Sequence, residues 1–268
     1  MKIHKFNNTI GWKPTITAVL FKSLLSILML VLVTNAIHAQ TIVDSTRIAR
    51  PMPEIVKKQT EQAQEEWLKL WNEGPTELAW DKLPVQEGNK APDFELESSS
   101  KELIKLSDLW NEKPVLLIFW RHTGCGCGFM RADSIRKSYD KIAEMGVEVV
   151  IITQAEPERA AFYAKEHSVK GTLLSDPNYQ VYRAYGLLDG NGPQILGTPD
   201  IDYTIGEKLQ KDRIGTQRAL VDNPWLLPGE FIIDKSGVIQ FAYRYGYCND
   251  IPEYWQLEIE LEAVVFAK

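Results

Sequence analysis

The chain has 268 residues, of which 30 are basic and 36 acidic, so its formal net charge is −6. An acidic chain with no basic stripe argues against nucleic acid or an anionic lipid surface as the partner. Its three cysteines are too few to build a disulfide scaffold of this size.

The first 39 residues are predicted to be a secretory signal peptide. They have a basic start, an apolar core at 23–33 and a cleavage site at 37–39. The core fits a signal sequence of roughly 7–15 apolar residues, whereas a membrane helix needs about 20. Because this leader holds four lysines and no acidic residue, its removal changes the net charge from −6 to −10. We expect a periplasmic or otherwise exported protein, free of the membrane after cleavage; an uncleaved membrane anchor is the alternative.

Residues 40–87 are predicted to form a linker and a helical extension. The pattern from 54 to 72 is charged and amphipathic, and Gly74-Pro75 ends it. Three tryptophans are expected to pack this extension against the rest of the chain, with ligand stacking as the alternative: Trp67, Trp71 and Trp80.

The main domain, residues 88–268, alternates strands with helices, which indicates an α/β fold around a mixed sheet. The predicted elements are, in order, a hairpin at 91–106, a strand at 115–120, a helix after the cysteines, a strand at 147–153, a helix at 157–167, a strand at 172–174, a helix at 179–185, a hairpin at 230–243 and a helix at 252–266. Residues 188–226 form an insertion rich in glycine and proline. It is a candidate lid or partner surface, or ordinary surface decoration.

Two thiols, Cys125 and Cys127, stand where the strand at 115–120 passes into a helix. Unpaired N–H groups and the positive end of the helix dipole favour a thiolate at such a point. A thiolate is the form of cysteine that attacks peroxides and disulfides. The sequence therefore predicts cysteine redox chemistry with Cys125 as the nucleophile.

The order of elements and the cysteine site resemble the thioredoxin fold, and more closely the alkyl hydroperoxide reductase and thiol-specific antioxidant (AhpC/TSA, redoxin) family of peroxiredoxin-like proteins. The segments that carry the resemblance are 88–96, 106–109, 114–120, 175–177, 184–186 and 228–239. The resemblance implies a thioredoxin-like domain with a mixed central sheet, an N-terminal helical extension and an insertion before the last hairpin. It also implies a peroxide or disulfide substrate, an external thiol reductant, and neither a cofactor nor a metal.

The chain departs from the family pattern at several positions. His122 stands where the family loop carries Thr or Ser, and Thr123 is one residue out of register. Pro228 replaces the arginine that precedes the Gly-x-Phe strand, and it resembles the typically cis proline of thioredoxin-like reductases. Gly128 falls where a Cys-x-x-Cys branch of the family has its second cysteine, whereas this chain has Cys127.

Four polar residues are candidates for supporting roles. Arg121 could pair with the thiolate or hold a peroxide oxygen, and the resemblance suggests that Thr123 donates a hydrogen bond to either. His122 could act as a cation, donor or proton shuttle, and Arg244 could replace the missing family arginine. The alternatives are a surface ion pair for Arg121 and a satisfied loop residue for His122.

The other two cysteines leave alternatives open. Within a helix, residues two apart point about 200° apart, so Cys127 and Cys125 could form an unstrained disulfide only in a non-helical loop. Cys127 is otherwise a packing residue or has another role. Cys248 could resolve a sulfenic acid on Cys125, or be a buried hydrophobic residue.

The function predicted first is an exported peroxiredoxin-like thiol oxidoreductase that reduces peroxides. A thiol–disulfide reductase of exported proteins is the alternative enzyme, favoured by Pro228 and the Cys-Gly-Cys pair. A copper chaperone using Cys125, Cys127 and His122 is a third hypothesis, and a non-catalytic binding module is the last.

Overall fold

The structure is a computed structural model. It describes residues 51–76, 80, 82–122, 126–195 and 220–266, with the backbone alone for Cys127, Phe129 and Pro193. The predicted signal peptide, Thr123 and Cys125 lie outside these residues. None of the helices in the described ranges is long and apolar enough to cross a membrane.

The described elements follow the predicted order closely. The helices are α1 (Glu54–Glu73), α2 (Leu106–Glu112), α3 (Gly126–Glu144), α4 (Pro157–Glu166), α5 (Gln180–Ala184), α6 (Gly192–Ile195) and α7 (Tyr254–Phe266). The strands are β1 (Glu95–Ser98), β2 (Leu103–Lys105), β3 (Val115–Phe119), β4 (Glu148–Thr153), β5 (Thr172–Ser175), β6 (Gly229–Ile233) and β7 (Ile239–Arg244).

These strands form one mixed sheet in the order β2-β1-β5-β4-β3-β6-β7. Strands β3, β4 and β5 are parallel, and β6 runs antiparallel to β3. With a strand on either side, every residue of β3 is buried, as its unbroken apolar sequence predicts. The predicted mixed sheet flanked by helices is confirmed.

Side chains along β3 alternate between the two faces of the sheet, as the pleat requires. Leu117 and Phe119 pack in a core that includes residues of α2 and α5. Leu116 and Ile118 pack in a second core with residues of α3, α4 and α7. The cysteine-bearing helix α3 therefore covers the second face.

The predicted extension helix is confirmed as α1, and two of its tryptophans pack as expected. The rings of Trp67 and Trp71 stack with centroids 5.2 Å apart, and Trp71 stacks on Trp225 at 4.8 Å. The indole N–H of Trp225 also donates to the Leu70 carbonyl at 2.8 Å. These contacts join α1 to the chain just before β6.

Trp80 contacts the main domain as expected, but it is only half-buried. Its side chain is 48% exposed, and its indole N–H donates to the Gly186 carbonyl at 3.1 Å. Trp67 and Trp71 share one helix face because they are four residues apart, whereas Trp80 follows the end of α1 at Glu73.

The described ends of the predicted insertion belong to the protein interior. Ile195 is 1% exposed on one side, and Trp225 and Leu226 are 2% and 3% exposed on the other. Surface decoration is therefore wrong for these ends. The predicted domain boundaries themselves stay predictions.

Candidate active site

The predicted junction of strand and helix is present. β3 ends at Phe119, and α3 begins at Gly126, the residue that follows Cys125 in the sequence. The unpaired N–H groups and positive dipole end of α3 are thus directed at this point of the chain. The backbone of Cys127 lies in the first turn of the helix. The connection from β3 passes through Trp120, Arg121 and His122, which are all buried.

Arg121 is 3% exposed and holds two distant segments together. Its Nη1 lies 3.7 Å from Cys248 Sγ, and its Nη2 donates to the Pro224 carbonyl. Burial lowers the pKa of Arg121, but a guanidinium keeps its charge at neutral pH. The surface ion pair considered for Arg121 is therefore wrong, and the side chain is a buried cation beside Cys248.

His122 is also buried, and the expectation that it is a cation is wrong. Burial, then the positive charges of Arg121 and Arg159, hold its pKa well below the ordinary value of 6.5. The imidazole is consequently neutral at neutral pH. Its Nδ1 has no hydrogen-bond partner in the described part of the chain, so a role as donor or acceptor stays a prediction.

A buried ionic cluster that the sequence analysis did not identify lies on the α3 face of the sheet. Arg131 of α3 donates through Nη2 to Glu230 Oε2, and Tyr245 donates through its hydroxyl to Glu230 Oε1. Glu230 is 0% exposed and Arg131 6% exposed. Although burial opposes it, the charge of Glu230 raises the pKa of Arg131. Burial and then Glu230 raise the pKa of Tyr245 well above its ordinary value.

The signal for this cluster was present in the sequence. Glu230 interrupts an otherwise apolar strand at a position that pairs with Ile118 of β3. A fully buried carboxylate on an internal strand requires a buried partner.

Arg244 does not supply the missing family arginine in the way the sequence suggested. Its Nε donates to the Tyr185 carbonyl at 2.9 Å, and its guanidinium lies over the Phe231 ring at 5.1 Å. Phe231 belongs to the core on the face opposite α3. Arg244 is two residues after Ala242 on β7, so both side chains lie on the same face of the sheet. Ala242 packs on the face opposite α3, and Arg244 is therefore directed away from α3.

A small cavity lies between the end of β3, the start of α3 and the chain after β7. It has a volume of about 30 Å³ and is walled mainly by apolar atoms. Among the residues that line it are Trp120, Gly128, Pro228, Tyr245 and Cys248. The fold therefore brings the predicted residues Arg121, Pro228 and Cys248 to the end of the sheet where α3 begins.

The described residues contain no cis peptide bond, so the Leu227–Pro228 bond is trans. The suggested likeness of Pro228 to a cis-proline is not reproduced. Pro228 nonetheless lines the cavity.

No group of three histidine, cysteine or acidic residues suited to a metal occurs within the described ranges. Because the side chains of Cys125 and Cys127 are outside them, the copper hypothesis remains a hypothesis.

A parallel β3-β4-β5 core with an antiparallel β6, and a helix that starts beside a cysteine at the end of the central strand, define a thioredoxin-like fold. A model of the AhpC/TSA family matches residues 87–242, more than half of the chain. The chain therefore belongs to the AhpC/TSA family.

Curated relatives share part of their length with this chain. Peroxiredoxin Bcp of Escherichia coli is 28% identical over 104 residues, which are 39% of this chain and 66% of that protein. The thioredoxin-like protein AAED1 of Arabidopsis thaliana is 30% identical over 40% of this chain and 43% of its own. Peroxiredoxin Q of Populus jackii is 27% identical over 60% of this chain and 61% of its own. The chain thus spans less than two thirds of each of these relatives.

Proposed function

We propose that this chain is an exported thiol peroxidase with Cys125 as its nucleophile. The observation that carries the proposal is the start of α3 at Gly126, directly after Cys125 and at the end of the central strand. A helix N-terminus and nearby cations lower a cysteine pKa and favour the thiolate. Arg121 supplies a buried cation in this region. The E. coli and poplar relatives, both named peroxiredoxins, support the same activity.

In the proposed reaction, the Cys125 thiolate attacks one oxygen of the peroxide. A sulfur–oxygen bond forms, the oxygen–oxygen bond breaks, and the leaving oxygen departs with a proton as an alcohol or water. Cys125 is left as a sulfenic acid. A second thiol then attacks this sulfur, which forms a disulfide and releases water. An external dithiol reduces the disulfide and restores both thiols by exchange.

Cys248 is the resolving thiol in this proposal. It is 5% exposed, lines the cavity at the start of α3, and lies 3.7 Å from the Arg121 guanidinium. A thiol that borders the start of α3 is the described cysteine available to attack a sulfenic acid on Cys125. For Cys127, a packing role remains the alternative to a disulfide with Cys125.

Thiol–disulfide exchange on exported proteins is a second candidate function. Pro228 favours it, because this proline lines the same cavity as Cys248 and stands where the family carries arginine. In this reaction Cys125 would attack a protein disulfide instead of a peroxide.

Single serine variants at the three cysteines test these functions. The proposal predicts that wild-type protein consumes hydrogen peroxide with a dithiol reductant, that Cys125→Ser abolishes the reaction, and that a sulfenic acid on Cys125 can be trapped. Reduction of insulin disulfides without peroxide turnover would support the second function instead. Stoichiometric copper retained by reduced protein, with neither activity, would support the copper hypothesis.

Export is part of the proposal and has its own test. The basic, then apolar N-terminus supports cleavage before Gln40. N-terminal sequencing of the protein from an exported fraction should begin at Gln40. Recovery of the intact chain in the membrane fraction would support the uncleaved anchor.

A further inference from the structure

Two residues that line the cavity each carry a buried N–H group with no hydrogen-bond partner among the described residues. They are Trp120 Nε1 and Arg131 Nε. Trp120 is 6% exposed and Arg131 6% exposed, and both residues line the cavity. A buried donor without an acceptor is costly and rare in folded proteins. Each of the two groups can only donate, so each requires an acceptor that the described residues do not supply.

Gly128 packs against the Trp120 indole and lies on the helix that carries Arg131. A side chain at Gly128 would place its Cβ 1.9 Å from Trp120 Nε1, so only glycine allows α3 to approach the indole this closely. Arg131 follows Gly128 by three residues, which puts it on the same helix face at roughly 5–6 Å. Both residues therefore border one small space.

The other nitrogens of Arg131 are occupied and fix its orientation. Nη2 donates to Glu230, and Nη1 lies 3.4 Å from Ser134 Oγ. Glu230 is in turn held by the Tyr245 hydroxyl. The Nε–H of Arg131 thus remains without an acceptor in the described part of the chain, while Glu230 balances the charge.

We propose that Trp120 Nε1–H and Arg131 Nε–H bind an oxygen of the peroxide in this cavity, with Glu230 and Tyr245 as the residues that position Arg131. The inference rests on the proposed function and adds to it the groups that recognise the substrate. A volume of about 30 Å³ exceeds the ~10–15 Å³ that one water-sized group needs. The cavity accepts the peroxide oxygens, and Arg131 supplies a guanidinium N–H from α3, whereas the family sequence carries its arginine before β6.

Two conservative substitutions remove the donors separately. Arg131→Lys keeps the charge opposite Glu230 but has no Nε–H, and Trp120→Phe keeps an aromatic ring but has no N–H. The controls are Arg136→Lys, an exposed arginine of the same helix, and Trp110→Phe, a buried tryptophan of the opposite face. Urea unfolding of each variant verifies that it is folded.

The measurement compares two reactions of Cys125 in the full mature chain. One is oxidation by hydrogen peroxide, followed by trapping of the sulfenic acid. The other is alkylation by iodoacetamide, which depends on the thiolate but needs no site for a peroxide oxygen. Loss of one such donor in an enzyme costs about 10²-fold or more in rate. We expect Arg131→Lys and Trp120→Phe each to slow peroxide oxidation at least about tenfold, with alkylation unchanged and both controls like wild type.

Each other outcome overturns the inference in a recognisable way. Wild-type peroxide rates in both folded variants would overturn it and leave the proposed function intact. A parallel loss of peroxide oxidation and alkylation would assign the two residues to the thiolate rather than to peroxide binding. Absence of peroxide oxidation in the wild-type protein would overturn the proposed function together with the inference. If one of the two variants fails to fold, the other variant alone tests the inference.

Discussion

Arg121 Nη1 lies 3.7 Å from Cys248 Sγ, although 127 positions separate the two residues in the sequence. Arg121 follows the central strand, and Cys248 follows the last strand of the sheet. β6 connects them, because it pairs with β3 on one side and β7 on the other. The contact therefore brings a third cysteine to the end of the sheet where α3 starts.

This contact predicts the effect of Cys248→Ser. After one equivalent of hydrogen peroxide, the wild-type protein should contain a disulfide that includes Cys248, detected by mass spectrometry of its peptides. Because a serine hydroxyl cannot resolve a sulfenic acid, the variant should accumulate the trapped sulfenic acid on Cys125. Cys127→Ser is the matched control. Accumulation in that variant, with Cys248→Ser like wild type, would assign resolution to Cys127.

Glu230→Gln should destabilise the protein strongly. It leaves the buried guanidinium of Arg131 without its counter-charge, and breaking a buried ion pair in this way costs roughly 3–5 kcal/mol. The free energy of unfolding, measured with urea, should fall by that amount. The double variant Arg131→Met with Glu230→Gln should recover much of the loss. Equal stability of the single variant and the wild type would contradict a buried ion pair here.

His122 should make the folded protein less stable as the pH falls. The pKa of His122 in the folded protein lies well below 6.5, so below about pH 6.5 the unfolded chain binds a proton that the folded protein does not. Above that pH, His122 causes no loss of stability. Below it, the free energy of unfolding falls by up to about 1.4 kcal/mol per pH unit, until the pH reaches the pKa of His122 in the folded protein. Urea unfolding at pH 7.5 and 5.5 measures it.

The substitution His122→Asn should reduce this pH dependence by the contribution of one histidine. His167→Asn removes a histidine elsewhere in the mature chain and serves as its control. If His122→Asn has the same dependence as wild type, His122 is not a buried neutral imidazole.

Trp71→Ala should lower the free energy of unfolding far more than Trp80→Ala. Trp71 stacks between Trp67 and Trp225, so its removal leaves a cavity, and such substitutions cost roughly 3–5 kcal/mol. Trp80 is 48% exposed, and its replacement should have a small effect. Urea unfolding of both variants compares them. Similar losses would show that the stack is not what holds α1.

The order of helices and strands could be predicted because it depends on local patterns. The apolar run of β3 predicts a buried strand, and the spacing of apolar residues after Cys127 predicts a helix. The side-chain partners could not be predicted, since they depend on strand register. Arg244 is a second cation near the last strand in the sequence, but the alternation of β7 directs it to the face opposite α3. The pair of Arg131 and Glu230 is not evident from the sequence, because only the pairing of β6 with β3 explains why Glu230 is buried.

His122 was misjudged for a related reason. Beside Arg121 in the sequence, His122 suggests a local cluster of cations, but burial and then the charges of Arg121 and Arg159 hold its pKa well below 6.5. Burial depends on the packing of the whole fold, and Arg159 lies 37 positions away, so no local motif reveals either effect.

The match to the AhpC/TSA family ends at residue 242, whereas Tyr245 and Cys248 lie beyond it and α1 lies before it. A fragment trimmed to the family boundaries would lose the hydroxyl that holds Glu230, the sulfur beside Arg121 and the helix that braces Trp225. The part of the chain that matches the family thus provides only some of the residues around this cavity, and segments outside the match complete it.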